Sequence, residues 1–417
     1  MRLLAPHLPH YGWEPTVVSV DPQGYESRLD PGLARLVPER LRVIRCRAWS
    51  PRWTRRIGVG DLGLRALSGL RGACSALLRG ERFDALFITT YPIYPALLGP
   101  MLKRRFGVPF VLDYQDPWVG AWGKTVGGGT EGRPDSKSRL SRALAMKLEP
   151  RVVRAADAIT AVSNLTYEQL RLRYPEIRET PCAAIPLGAE PADFEQLRRC
   201  PRPNPYFDPK DGGFHLCYVG TLLPLGFETL RAVLNAVRLL RERRPELYGS
   251  LRLHFFGTSN QTRPDASLRV LPIAREMGVA DCVTEIAPRI DYLDALTVQD
   301  QANAILLMGS SEPHYTASKL YPALLSGRPI LAACHQASSV VEILGRAAPP
   351  PAARLVTYTE AEPARLKVDA LYAVLVALLE SLPGDRAPRR PQAIEEFSAR
   401  HLAGRLAEVL AKVRKGS

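Results

Sequence analysis

Between Gly309 and Ala333 the chain reads GSSEPHYTASKLYPALLSGRPILAA, a run that concentrates groups able to handle an anion. Glu312, His314, Tyr315, Thr316, Ser318 and Lys319 follow one apolar stretch and precede a helix-like and then a strand-like stretch. A lysine beside hydroxyls at a helix start neutralises a phosphate and supplies hydrogen-bond donors together. The plainer reading makes Ser318 a helix N-cap and Lys319 a solvated charge. Three further segments put chemistry just after an apolar run: CYVGTLLPLGFETL with Gly220 and Thr221, HFFGTSN with Gly257 and Thr258, and EIAPRIDYLDAL with Arg289. The first would aim main-chain N–H groups and a helix N-terminus at a diphosphate, although ordinary strand-to-helix turns share its composition. In the first half, VLDYQDPW carries Asp113 and Asp116 at the end of such a run.

These residues need a scaffold that gathers strand ends. Short apolar runs alternate with amphipathic helical stretches along the whole chain, the pattern of a doubly wound α/β protein. The expected strands span 16–20, 41–46, 85–89, 109–114, 158–162 and 182–186 in the first half, then 214–220, 251–257, 283–287, 303–309, 329–334 and 354–358. The proline-rich stretch from Cys200 to Gly213 interrupts the alternation as a linker or surface excursion. At 417 residues the chain fits two domains of roughly 200 residues each. Ligands of open α/β sheets bind at the carboxyl ends of strands, where the residues above fall.

A formal charge of +14 suggests an anionic partner: nucleic acid, an anionic membrane surface or a phosphorylated substrate. No aromatic–basic platform or recognition helix supports nucleic acid. From Arg52 to Phe83 arginines mix with leucines at helical spacing, so a basic amphipathic face could rest on anionic lipid, or the stretch is a solvated helix flank. Seven cysteines are scattered without a CxxC pair or Cys/His cluster, which fits a reducing cytoplasm and no zinc site. No apolar run approaches the roughly 20 residues a spanning helix needs, and the amino end lacks the pattern of a signal peptide.

Taken in order, IPLGAEPADF, YVGTLLP, HFFGTSN, APRIDYLDAL and SKLYPALLSGRPILAA resemble the donor-binding domain of GT-B glycosyltransferases, in particular the retaining family 4 enzymes of polysaccharide and glycoconjugate assembly. LAPHLPHYGWEPTVVSVDP and VLDYQDPW resemble parts of the acceptor-binding domain of that family. The resemblance implies an α/β GT-B fold: two Rossmann-like, doubly wound domains facing across a cleft. Residues 1–190 would form the acceptor domain, with a terminal helix at 392–414 packing back on it, and 191–391 the donor domain. It further implies a nucleotide-sugar donor and a glycan or lipid-linked acceptor, with no metal or other cofactor and no nucleic acid. The setting would be cytoplasmic, including the inner face of the membrane. Asp116, Glu312 and His314 become the catalytic candidates, and Asp113 a strand-end hydrogen-bonding residue. Gly220, Thr221, Gly257, Thr258, Arg289, Ser318, Lys319 and Leu320 become the donor-binding candidates.

The chain departs from the family in three places. Pro322 stands where a ribose-binding glutamate is usual, and His314 where an acidic residue is usual, with Glu312 two residues away. Proline at that position suggests a helix starting at Pro322, after a looser turn from Ser318 to Tyr321. The basic pair that follows the glycine of YVG is absent, and Lys319 and Arg289 are the nearest replacements. The sequence also opens inside the first helix, so the N-terminal domain is expected to lack its first strand. A degenerate, non-catalytic subunit and a GT-B nucleotide-sugar epimerase are the competing readings.

Overall fold

The computed structural model describes residues 1–90, 92–119, 136–259, 261–262, 265–310, 318–381 and 394–415. Twelve strands occur among them: β1 (Thr16–Val20), β2 (Arg42–Cys46), β3 (Leu86–Thr89), β4 (Phe110–Tyr114), β5 (Ala158–Ala161), β6 (Cys182–Ala184), β7 (Phe214–Val219), β8 (Leu251–Phe256), β9 (Val283–Ile286), β10 (Ala304–Met308), β11 (Ile330–His335) and β12 (Ala353–Tyr358). Each falls on a run expected to be a strand; those covered on both faces, such as β4 and β10, are apolar almost throughout rather than alternating. The chain divides into two compact units. One holds Met1–Leu29, Val37–Leu187 and Ala399–Ser417; the other holds Asp30–Leu36 and Gly188–Ser398.

The second unit is one parallel sheet in the order β12-β11-β10-β7-β8-β9. Its middle is apolar on both faces. The helix Phe227–Arg243 turns Leu230, Val233, Leu234, Val237 and Leu240 inward at three- and four-residue spacing, and they join Leu216, Leu253 and Phe255 of the sheet. On the other face Leu320, Tyr321, Ala323 and Leu324 cover Ile305, Leu307 and Ile330. Asp30, the N-cap of a short helix at Pro31–Arg35, joins this unit by accepting from the Tyr292 N–H at 2.6 Å.

The first unit holds a four-stranded parallel sheet, β3-β4-β5-β6, and a separate parallel pair, β1-β2. The helix Ala399–Lys415 covers the four-stranded sheet, burying Leu402, Leu406 and Leu410 against Val111, Ala158 and Leu8. The helix Leu62–Gly80, capped by Asp61 on the Leu64 N–H at 2.8 Å, buries Ala66 and Leu70 beside Val20, Leu98 and Leu102. Strands β4 and β5 are buried throughout, whereas every residue of β3 and four of the five in β1 are half-exposed. Among the described residues β1 and β3 are not paired with each other.

Candidate anion site at the strand ends of the second unit

Strand β7 runs through Tyr218 and Val219 into Gly220, whose φ of 138° lies in a region side-chain-bearing residues rarely adopt. The Gly220 N–H donates to Phe256 O at 2.7 Å, and the Leu222 N–H to Thr258 O at 2.9 Å, so the loops after β7 and β8 are tied together. Gly257, also at positive φ, donates to Ile286 O at 2.8 Å and continues the tie to the end of β9.

Lys319 reaches into this cluster from the start of the helix Leu320–Ser326. Its ammonium donates to the Tyr218 hydroxyl and to Thr221 O, both at 2.9 Å, and lies 4.9 Å from the centre of the Tyr218 ring. A Cβ on Gly220 would stand 1.8 Å from Lys319 Cε, so the lysine stem crosses the glycine where a larger residue would force it to shift. The partners are a phenol and a carbonyl, both neutral. Burial with no compensating carboxylate among the described residues lowers the Lys319 pKa to about 8. The loop thus presents a cation whose charge is only weakly satisfied, as an anion site requires.

Other expected residues divide. Thr258 is buried and its hydroxyl donates to Glu285 at 2.5 Å, which ties the loop after β8 to β9. Glu285 also accepts from the N–H groups of Arg269, Val270 and Leu271 at 2.8, 3.0 and 2.8 Å. The side chain of Leu320 is wholly buried in the apolar core. Ser318 is exposed, and Arg289, also exposed, is fixed by its own N–H donating to Gln261 O at 3.0 Å. Glu312, His314, Tyr315 and Thr316 lie outside the described residues.

The helix begins at Leu320, not at Pro322. Proline is tolerated in the third position because first-turn N–H groups have no intrahelical partner anyway. Two participants carried no sequence signal of their own: Tyr218, hidden in an apolar strand, and Arg269, whose guanidinium donates to Leu222 O. Lys319 and Arg269 each meet a carbonyl of the loop where the family's basic pair is absent.

In the first unit, Asp113 is buried at the end of β4 and accepts from the Thr160 hydroxyl at 2.7 Å and the Gln115 amide at 3.0 Å. Burial raises its pKa against those two hydrogen bonds, which suits a strand-end hydrogen-bonding residue. Asp116 reaches solvent two residues beyond the strand, and the protein mass around it raises its pKa.

Residues 1–188 match the family model described as Glycosyl transferase 4-like domain. The structure is similar across its full length to a glycosyltransferase from Rickettsia africae, at 13% identity over 94% of that chain, with a TM-score of 0.55. It is similar to Anabaena Alr3699/HepE, solved in complex with UDP, at 14% identity over 95% of this chain and 100% of that one, with a TM-score of 0.54. A UDP-forming α,α-trehalose-phosphate synthase from Burkholderia vietnamiensis matches 85% of this chain and 77% of its own at 12% identity, with a TM-score of 0.54. No curated protein matches the chain. At these identities the likeness establishes the fold, which is GT-B, and the first 188 residues are similar to the glycosyl transferase 4-like domain.

Proposed function

We propose that this protein transfers a sugar from a nucleotide-sugar donor to a hydroxyl of a glycan or lipid-linked acceptor, with retention at the anomeric carbon. The observation that carries the reading is Lys319 drawn over Gly220 onto neutral partners at the carboxyl end of β7, in a fold whose solved relatives include one bound to UDP. In the reaction the acceptor oxygen forms a bond to the anomeric carbon as the bond from that carbon to the diphosphate oxygen breaks. The nucleoside diphosphate leaves with the bonding electrons, and the acceptor proton passes to a base or to the leaving group. Lys319 offsets the negative charge that grows on the leaving oxygen, the type of term that dominates reactions of this kind. Asp116 is the acceptor-side candidate. No metal enters the proposed step.

For the acceptor, exposed aromatic residues favour a lipid-linked molecule. Trp49, Trp53 and Ile57 are 63%, 66% and 77% exposed and lie among Arg52, Arg55 and Arg56. Tryptophan beside arginine suits the headgroup layer of an anionic bilayer. This patch precedes the helix Leu62–Gly80, whose apolar face is spent on the core. Among the described residues no helix is long and apolar enough to cross a membrane.

The test is a titration with UDP and UDP-sugars followed by product analysis with polyprenyl-linked acceptors and vesicle co-sedimentation. Binding, with sugar transfer or slow donor hydrolysis, is expected; absence of both binding and hydrolysis refutes the reading. A non-catalytic subunit is the second reading, favoured by Pro322, which offers no carboxylate to a ribose. Turnover by the purified protein alone removes it.

A further inference from the structure

Tyr114 closes β4, and strand alternation turns it, with Phe110 and Leu112, toward the core beneath the helix Ser136–Val153. Its hydroxyl donates to Oε1 of Glu149 on that helix at 2.5 Å, and the Val119 N–H donates to the same oxygen at 3.2 Å. Oε2 takes a different pair: the Tyr174 hydroxyl at 2.6 Å and the Arg173 guanidinium at 2.8 Å, from the end of the helix Asn164–Arg173. The Glu149 side chain is wholly buried, so a carboxylate has been taken out of water and given four donors in return. Burial and the facing carboxylate raise the pKa of both phenols, so each remains a donor. Apolar side chains of the same volume often stabilise a core as well as a buried ion pair does, so stability alone does not account for Glu149.

What the network brackets gives it a purpose. Tyr114 and Val119 are the two feet of the loop that carries Asp116. Between them, Gln115 is held by its N–H on the Thr90 hydroxyl at 3.3 Å and by its amide on Asp113 at 3.0 Å. Trp118 is buried, with its ring edge-on to Tyr94 at 6.2 Å. From Tyr114 to Val119 only Asp116 and Pro117 are exposed, and proline fixes its own φ at the tip. One carboxylate oxygen therefore pins both feet of a loop whose tip presents Asp116, while the other oxygen serves a helix end.

We infer that Glu149 is a positioning residue for Asp116: through Oε1 it holds Tyr114 and Val119, and so sets where the Asp116 carboxyl stands for an acceptor hydroxyl. The inference rests on the proposed transfer, in which Asp116 is the acceptor-side group. Glu149 acts only through the loop, because its own side chain is closed off from solvent. A fully satisfied buried network holds one backbone geometry, and small displacements of a reacting group cost rate steeply. The division of partners between the two oxygens makes positioning separable from stability. Loss of the Tyr114 hydroxyl frees a foot of the loop. Loss of the Tyr174 hydroxyl removes a matching bond from the other oxygen and leaves both feet in place.

Glu149→Ala would strip four donors of their acceptor and can unfold the chain, so the experiment uses the matched pair Tyr114→Phe and Tyr174→Phe. Each removes one phenolic bond to Glu149, and similar falls in Tm are expected of both. Amide hydrogen exchange over residues 113–119 is expected to quicken at least tenfold in Tyr114→Phe and to stay within about twofold of the unaltered protein in Tyr174→Phe. For transfer from a UDP-sugar to a polyprenyl-linked acceptor, kcat is expected to fall roughly 10- to 100-fold in Tyr114→Phe with the donor KM unchanged, and to stay within about threefold in Tyr174→Phe. In an Asp116→Asn background, Tyr114→Phe is expected to cost less than about twofold more, because both changes act through one carboxyl. Equal exchange profiles in the two variants overturn the inference. So does a further loss of about tenfold when Tyr114→Phe is added to Asp116→Asn. Exchange needs no turnover: an unaltered protein that neither binds nor hydrolyses UDP-sugars refutes the transferase reading, while the two exchange profiles still decide whether Glu149 holds the Asp116 loop.

Discussion

The charge on Lys319 is the most exposed point of the functional argument, and pH tests it directly. With a pKa near 8, about nine-tenths of the ammonium is charged at pH 7 and about one-tenth at pH 9. If a diphosphate binds against the charged form, its affinity falls about tenfold between those values, and binding at pH 8.5 takes up close to 0.8 proton. Calorimetric titration with UDP in buffers of different ionisation enthalpy measures both quantities. Lys319→Met removes one charge-assisted hydrogen bond of about 1.5–3 kcal/mol, so affinity drops roughly 10- to 150-fold and the pH dependence disappears. Stability moves the other way. The folded state releases the Lys319 proton near pH 8 while the unfolded chain holds it to the ordinary value of 10.5, so folding is favoured as pH rises through that window. Loss of UDP binding while Tm holds or rises between pH 8 and 10 is the signature. A flat affinity profile in the unaltered protein, or full affinity in Lys319→Met, refutes the assignment.

Gly220→Ala places a Cβ against the Lys319 stem and asks alanine to adopt φ of 138°, so a loss of about 1–3 kcal/mol in denaturant unfolding is expected together with weaker UDP binding. Unchanged binding would show that the lysine need not cross the glycine. Glu285→Ala strips the acceptor from three N–H groups and the Thr258 hydroxyl, and urea melts should report a loss of about 3–5 kcal/mol; a loss under 1 kcal/mol would mean that water replaces the carboxylate. Pro322→Glu restores a carboxylate on the helix beside Lys319 and is expected to tighten UDP binding about tenfold. Equal or weaker binding would show that the pocket is built around proline.

What could be read from the sequence divides along a physical line. The twelve strands were visible as short runs rich in apolar residues between helical stretches; β4, β5 and β10 are buried throughout, whereas β1, β2 and β3 are partly exposed. Among the described residues β1 pairs only with β2 and β3 only with β4, so the first unit carries two separate parallel sheets. Side-chain direction was not legible. Thr258 and Lys319 both follow strands in hydroxyl- or cation-bearing loops, yet Thr258 turns to Glu285 while Lys319 turns over Gly220 to Tyr218. The difference is made by a carboxylate on β9 and a phenol on β7, partners 27 and 101 residues away. Pro322 misled for a related reason. Its restriction on Tyr321 is a local bias, and burial of Leu320, Tyr321, Ala323 and Leu324 in one core was enough to hold Tyr321 helical. The same burial fixes Lys319 as the residue just ahead of the helix, so the departure at Pro322 leaves the lysine in place while removing the carboxylate beside it. If Lys319 holds a diphosphate as proposed, the lack of a carboxylate at Pro322 predicts a binder that discriminates phosphates more sharply than sugars of the nucleoside.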